Sequence, residues 1–432
     1  MVRRVPPSFS LRPSRRGGLV CAMSVVLLAL GGCETAPERP PIRYTGDPVV
    51  DGKAQLSVAP EKDRVLWDYR IAGSALRAGK FDEAKARLDD AIARIGGLIT
   101  NDEAARKARS LFSAESEKVF IGEPYERVMA YYYRGLLYWR DGEPDNARAC
   151  FRSGQFIDSG AQGEDYKSDY ALLDYLDGLA SAKQSGDGSD ALARAQTHAK
   201  FTLQPYDPAA NVLCFVEFGR GPRKAAAGQY GEQLRFRTDE SRARSALLIV
   251  AGQEVRFAPW DNLDFQATTR GGRVMDYILG NKAVFKATTN TVGDVALAGA
   301  AVAANNIYKE KPRTDDQKTD QKGDRRDDRK DRPPEYEKSQ GAENTAIALG
   351  VIGIISKLTS AATTPRADTR MWDNLPQFLS FAALRLPPGT YPARLEFLDA
   401  TGRRIPESAR ALSVTVGDPA HDTVIFLSEL KQ

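Results

Sequence analysis

The spacing of apolar positions divides the chain into segments of different character. Leu19–Leu30 is one continuous apolar run. From about Glu61 to Pro205, Ala, Leu and aromatic residues recur three and four positions apart among Arg, Asp and Glu, which predicts amphipathic helices. Near Pro205 the period shortens. "NVLCFVEFG", "EQLRFR", "SALLIVAGQEVRFAPW" and "LDFQATT" predict short strands separated by Gly, Pro and Asn. "FLSFAALRLPPGTYPARLEFLDATGRRI", "ALSVTV" and "DTVIFLSEL" repeat that pattern at the end, with turns at Pro387–Tyr391 and Asp399–Gly402. The expected fold class is α+β: helical hairpins over 61–207, then a small antiparallel β-sandwich. The two β-rich stretches, 208–291 and 366–432, are expected to share one sheet system around an insertion at 292–365.

The insertion carries two Ala/Gly/Ile-rich runs, "VGDVALAGAAVAANN" and "NTAIALGVIGIISKLTSAATT". They read as a helical pair packed on the body or, alternatively, touching a membrane. The stretch between them, about 309–341, balances its charges and lacks apolar residues, so it cannot bury a core and is expected to be disordered.

Within the helical half, "YYYRGLLYWRDGEPDNARACFRSGQ" has an internal logic. Gly135 and Ala147 stand where two helices would cross closely, with Tyr138 and Phe151 filling the space beside them. Gly142 would end the first helix, and Pro144 would open the second. Ala72 and Ala84 repeat this spacing around Gly79-Lys80-Phe81. Gly178 and Ala191 repeat it one residue out of register around "SGDGSD". These small and aromatic positions resemble the tetratricopeptide (TPR) helix pair. Tyr131, Tyr132, Tyr133, Tyr138 and Trp139 crowd one helix, so some must face away from the hairpin core. Tyr132 and Trp139 are the candidate partner-binding residues, because exposed aromatics make good anchors; packing against neighbouring helices is the alternative.

The apolar run at 19–30 follows Arg3, Arg4, Arg12, Arg15 and Arg16 and is shorter than the roughly 20 residues of a spanning helix. It reads as a signal peptide over 1–32, with an uncleaved anchor as the alternative. Leu30-Gly31-Gly32-Cys33 resembles the lipobox of bacterial lipoproteins. That resemblance implies removal of the leader and acylation of Cys33. Several acyl chains, at about 0.8 kcal/mol per buried CH2, would hold the protein at a membrane. Glu34 after the cysteine favours the outer membrane over the inner. The Pro-rich, polar stretch 33–60 then reads as an extended tether.

Composition adds exclusions. The 432-residue chain carries 61 Lys and Arg against 57 Asp and Glu, a net charge of +4 that gives no nucleic-acid footprint. Four cysteines and two histidines leave little for metal sites. Cys150 and Cys214 read as buried free thiols, or as a pair in an oxidising compartment. His198 and His421 lack partners at ligand spacing. No phosphate loop or nucleophile elbow is present. Gly219-Arg220-Gly221-Pro222-Arg223-Lys224 could meet an anionic group such as a lipid phosphate or glycan, or be a solvated loop. No catalytic residue, cofactor or metal is expected, and the chain is not expected to be an enzyme.

The lipobox, "FIGEPYERVMAYYYRGLLYWRDGEPDNAR", "VEFGRGPRK" and "ADTRMWDNLP" followed by "ALRLPPGTY" occur in this order. Together they resemble a family of TPR-containing bacterial lipoproteins with no assigned activity. The resemblance covers most of the chain after Cys33 and supplies no catalytic residues. The lipobox, the TPR-like pairs and the lack of a catalytic motif lead to the expectation of a lipid-anchored, periplasm-facing scaffold or adaptor that binds an envelope protein through its helices. The alternative is a cell-wall or polysaccharide-related factor that binds glycan through the β-rich half.

Overall fold

The structure is a computed structural model. It describes residues 42–100, 118–159, 168–229, 231, 233–238, 241–269, 366–418 and 421–430. The chain divides into a unit Met1–Arg43 and a unit Tyr44–Gln432. Cys33, the leader and the Ala/Gly-rich insertion all lie outside the described residues. Within the second unit, among the described residues, eight α-helices and ten strands form a mixed α+β body.

Helix α1 spans Pro48–Val58, inside the stretch expected to be an extended tether. The reason is local. Asp47 accepts the Val49 and Val50 N–H groups at 2.8 and 3.3 Å, and Pro48 stands at the first helical position. The helix is then held by close packing: a Cβ on Gly52 would lie 2.7 Å from Ile71 Cγ1. Three helix pairs follow. They are α2 (Arg64–Arg77) with α3 (Phe81–Thr100), α4 (Pro124–Arg140) with α5 (Pro144–Asp158), and α6 (Ala171–Lys183) with α7 (Ser189–His198). Gly79 and Gly142 end α2 and α4 with φ of +69° and +82°, a left-handed conformation that glycine adopts without a Cβ penalty.

The strands are β1 (Val212–Arg220), β2 (Arg223–Ala227), β3 (Gln233–Arg237), β4 (Ser245–Val250), β5 (Gln253–Phe257), β6 (Asp261–Asn262), β7 (Pro376–Leu384), β8 (Gly389–Leu398), β9 (Arg410–Val416) and β10 (Thr423–Ser428). One sheet has the order β10-β1-β7-β6 and another β5-β4-β8-β9; β2 and β3 form a separate hairpin. Both four-stranded sheets therefore combine strands from the two distant β-rich stretches, interleaved in the first and side by side in the second. The pattern is not wholly antiparallel, because β10 returns parallel to β1. Pro387-Pro388 does not close a hairpin either: β7 and β8 lie in different sheets, so this turn is a corner between them. The "LDFQATT" run is helix α8 (Leu263–Thr269) rather than a strand. Asn262 Oδ1 accepts the Asp264 N–H at 2.9 Å, which starts a helix, and Leu263 and Ala267, four apart, are buried in the helical core.

Strand β1 explains how the layers join. Val212, Cys214, Val216 and Phe218 belong to an apolar cluster with β4, β5, β8 and β9. Leu213 and Phe215 point the other way, into a cluster with the helices. The period of two along a strand thus places this sheet between the helices and the second sheet. The helical and β-rich segments are not separate domains; they share a core.

Candidate functional site

The face of the helices expected to be open is the face on which the first sheet lies. Its polar centre is Glu217 of β1, buried together with Arg77 of α2, Tyr133 of α4 and Ser428 of β10. Arg77 Nε donates to Glu217 Oε1 at 2.7 Å, and Ser428 Oγ donates to the same oxygen at 2.6 Å. Tyr133 Oη donates to Oε2 at 2.5 Å. Burial alone would lower the Arg77 pKa, but the adjacent carboxylate holds it above its ordinary value. Burial, then the Glu217 charge, pushes the Tyr133 phenol well up, so it remains a donor. A carboxylate with three charge-satisfying donors is a structural tie, with no free lone pair aimed at solvent.

A second tie joins "FIGEPYER" to "ADTRMWDNLP". Glu126, in the first turn of α4, accepts from the Glu123 N–H at 2.6 Å, half of a capping box. Its other contacts come from afar: Lys224 Nζ of β2 at 2.6 Å and the Trp372 N–H at 2.6 Å. Lys224 also donates to the Arg370 carbonyl at 2.9 Å. The Trp372 indole stacks on Tyr69, with centroids 4.4 Å apart. Gly73 permits this close passage, since a Cβ there would lie 3.0 Å from Asn374 Oδ1. Arg370 bonds Asp63 at 2.6 Å and Asp368 at 2.6 Å. Two motifs about 250 positions apart in sequence are therefore one cluster.

A third tie caps α6. Asp261 accepts the Ala171 and Leu172 N–H groups, each at 3.0 Å. Burial pushes its carboxyl up to about 7 despite those two donors, which act to lower it.

Tyr132 and Trp139, the residues expected to meet a partner, are each 1 % exposed. Tyr132 packs on Phe215 of β1 with centroids 6.3 Å apart. Trp139 Nε1 donates to Asp422 Oδ2 at 2.8 Å, and Lys183 Nζ holds the other oxygen of that carboxylate at 2.7 Å. Tyr132 therefore turns from the hairpin core to the chain's own sheet, whereas Trp139 also packs on Phe151 within the hairpin, with centroids 6.1 Å apart. The expected packing residues lie in the helix-pair contacts. Ala72, Ala84, Ala147 and Phe151 are fully buried, and Ala191 nearly so. A Cβ on Gly135 would sit 2.6 Å from the Phe151 ring. One on Gly178 would collide with Tyr206 Oη and lie 2.9 Å from Ala191 Cβ. Tyr138 is half-buried under the Arg134 guanidinium, 3.5 Å from its ring centroid. Cys150 and Cys214 are free thiols, one half-buried and one buried. His198 is half-buried and His421 exposed.

Glu217, Arg77 and Glu126 carry no site motif in the sequence, and Lys224, the end of the stretch expected to meet an anionic group or be solvated, is buried against the chain's own Glu126. Glu217 had one readable signal: it is the sole charge in the apolar run "VLCFVEFG". Comparison with family models, curated proteins and solved structures returns no match. Among the described residues there is no group of three His, Cys, Asp or Glu arranged to hold a metal ion, and no helix long and apolar enough to cross a membrane.

Among the described residues, one face of α5 is left open to solvent. On α5, Ala149, Arg152 and Phe156 are exposed along one face. Phe156 is 79 % exposed. Its neighbour Asp158 accepts the Asp169 N–H at 3.1 Å, and Asp169 accepts from Gln266 of α8 at 2.7 Å. That chain ties the end of α5 to α8, where Phe265 is 42 % exposed.

Proposed function

We propose that this chain is a lipid-anchored scaffold of the bacterial envelope, acylated at Cys33 and facing the periplasm from the outer membrane. It binds an envelope protein through the outer side of its TPR-like helix pairs. The observation that carries the reading is the pairing of a filled inner helix face with an open outer one on which Phe156 stands nearly fully exposed. A phenylalanine ring left in water forgoes roughly 1.5–3 kcal/mol of burial, and an apolar anchor beside an arginine fits a protein partner. The close contacts of Gly135 with Phe151 and of Gly178 with Ala191 support the TPR-like assignment, and the two sheets enclosing one apolar cluster support a β-sandwich.

Photo-crosslinking in intact cells tests the reading. A photoreactive residue at position 156 is expected to give a discrete adduct with an envelope protein. The same residue at the buried position 139 should give none. Adduct-free position 156, together with co-sedimentation of the protein with purified sacculi, would favour the glycan-binding alternative.

A further inference from the structure

The β2–β3 hairpin carries a charge arrangement that the scaffold reading leaves unused. In its antiparallel register Arg223 lies directly opposite Arg237, and Ala225 opposite Arg235. Directly opposed residues share a face, so Arg223, Arg235 and Arg237 project from one side of the ribbon with Ala225 and Ala227 between them. The opposite side is fixed to the body. There Lys224 is bonded to Glu126, Leu234 is buried, and Phe236 packs edge-on against Tyr125 with centroids 5.9 Å apart. The hairpin cannot turn its arginines inward.

None of the three arginines has an ion-pair partner among the described residues. Arg235 bonds only the neutral Gln233 side chain, at 3.0 Å. Arg235 and Arg237 are exposed and Arg223 half-buried. Arg366 joins them: it is exposed and precedes Ala367, whose N–H donates to the Gly231 carbonyl at the hairpin tip at 2.8 Å. Glu232, Asp239 and Glu240 lie outside the described residues. Like charges directly opposite each other on a ribbon destabilise it. Elsewhere the same chain pairs its arginines closely, as at Arg77, Arg134 and Arg370. An arginine row without ion-pair partners among the described residues, on a ribbon fixed to the body by its other side, is complementary to a surface of repeating phosphates, each of which can take a bidentate guanidinium. Among the described residues, the face has no aromatic ring on which a nucleic-acid base could stack and no apolar anchor for a protein.

We propose that the outer face of the β2–β3 hairpin docks on anionic phospholipid headgroups, with Arg223, Arg235 and Arg237 as the contact residues and Arg366 at the rim. The docking does not depend on acylation or on the scaffold reading. It is tested with the full-length chain carrying Cys33→Ser, so that no acyl group contributes and the leader acts equally in every comparison. Co-sedimentation is measured with vesicles of phosphatidylethanolamine and phosphatidylglycerol at 3:1, and with phosphatidylcholine alone. At about 1 kcal/mol per arginine near an anionic surface, R223Q/R235Q/R237Q should bind the anionic vesicles roughly 100-fold more weakly at low salt. It should melt no lower than its parent, since a like-charge contact is removed. If it melts lower, R235Q/R237Q, with both changes at exposed positions, decides the matter at roughly 30-fold. Equal binding by parent and variant, or equal binding to both vesicle types, overturns the proposal. Displacement by millimolar inorganic phosphate would identify a single-anion site and overturn the membrane surface as its occupant.

Discussion

Removing Arg77 alone should destabilise the protein more than removing Arg77 and Glu217 together. The two side chains are 2 % and 1 % exposed and meet at 2.7 Å between helix α2 and strand β1. Arg77→Met leaves the Glu217 carboxylate buried with only the Tyr133 and Ser428 hydroxyls as donors. Glu217→Gln leaves the guanidinium buried without an opposite charge. Breaking an enclosed pair from either side costs about 3–5 kcal/mol, whereas replacing both partners by neutral groups is often close to neutral. The double variant Arg77→Met/Glu217→Gln should therefore recover much of the loss, with a coupling energy of about 3 kcal/mol or more. Urea unfolding of the full chain measures it, followed by far-UV ellipticity and by tryptophan fluorescence. Both signals should shift together, because the pair joins helices to sheet and Trp139 and Trp372 lie in the shared cluster. Additive losses, or an Arg77→Met cost below about 1 kcal/mol, would refute an enclosed tie. A helical signal that stays put while fluorescence shifts would show that the helices fold without the sheet.

Other consequences are smaller. Gly135→Ala should cost about 1–3 kcal/mol in thermal melting, because its Cβ would stand 2.6 Å from the Phe151 ring. Gly96→Ala, whose Cβ would meet no atom of the described residues within 4 Å, should instead stabilise α3 by about 0.5–1 kcal/mol. Burial raises Asp261 to about 7 and Asp68 to about 6, the latter against the opposing Arg87 charge. Both folded-state values lie above the ordinary 3.8, so their stabilising contribution is full below about pH 4 and is lost as the pH rises towards 7. Melting temperature should accordingly fall across that window, and Asp261→Asn should flatten the slope. Burial also raises the Cys150 thiol to about 11 and the Cys214 thiol to about 12. With Cys21 and Cys33 replaced by serine, a thiol reagent at pH 8 should label Cys150 slowly and Cys214 only on unfolding.

The features legible in the sequence are those set by neighbours in the chain. Gly79 and Gly142 end helices because the left-handed turn needs glycine. Asp47-Pro48 was an equally local signal for α1, hidden by the proline-rich run before it. What stayed illegible depends on distant partners. Nothing near "DTVIFLS" reveals that β10 runs parallel to β1, since that pairing needs 200 intervening residues to return the chain. "GRGPRK" drew attention to an anionic ligand, but the arginine row exists only through the register that sets Arg237 against Arg223.

Tyr132 and Trp139 turn that limit into an argument about function. A helix whose large apolar residues fall on more than one face must bury more than one side, and α4 does so: Phe151 packs on one side, Phe215 and Asp422 on the other. An array of helix pairs whose inner groove is occupied by its own sheet cannot take an extended peptide there without exposing Leu213, Phe215 and the Glu217 tie. Freeing that groove would expose apolar side chains now fully buried, at roughly 1.5–3 kcal/mol for each Leu or Phe. A peptide ligand would have to supply that before gaining anything. Photo-crosslinking distinguishes the two outcomes within one chain. Adducts from position 132 or 139 would mean that the groove opens in the cell, and the outer face would lose its claim. Adducts confined to position 156 would mean that the sheet stays seated and the partner meets the open side.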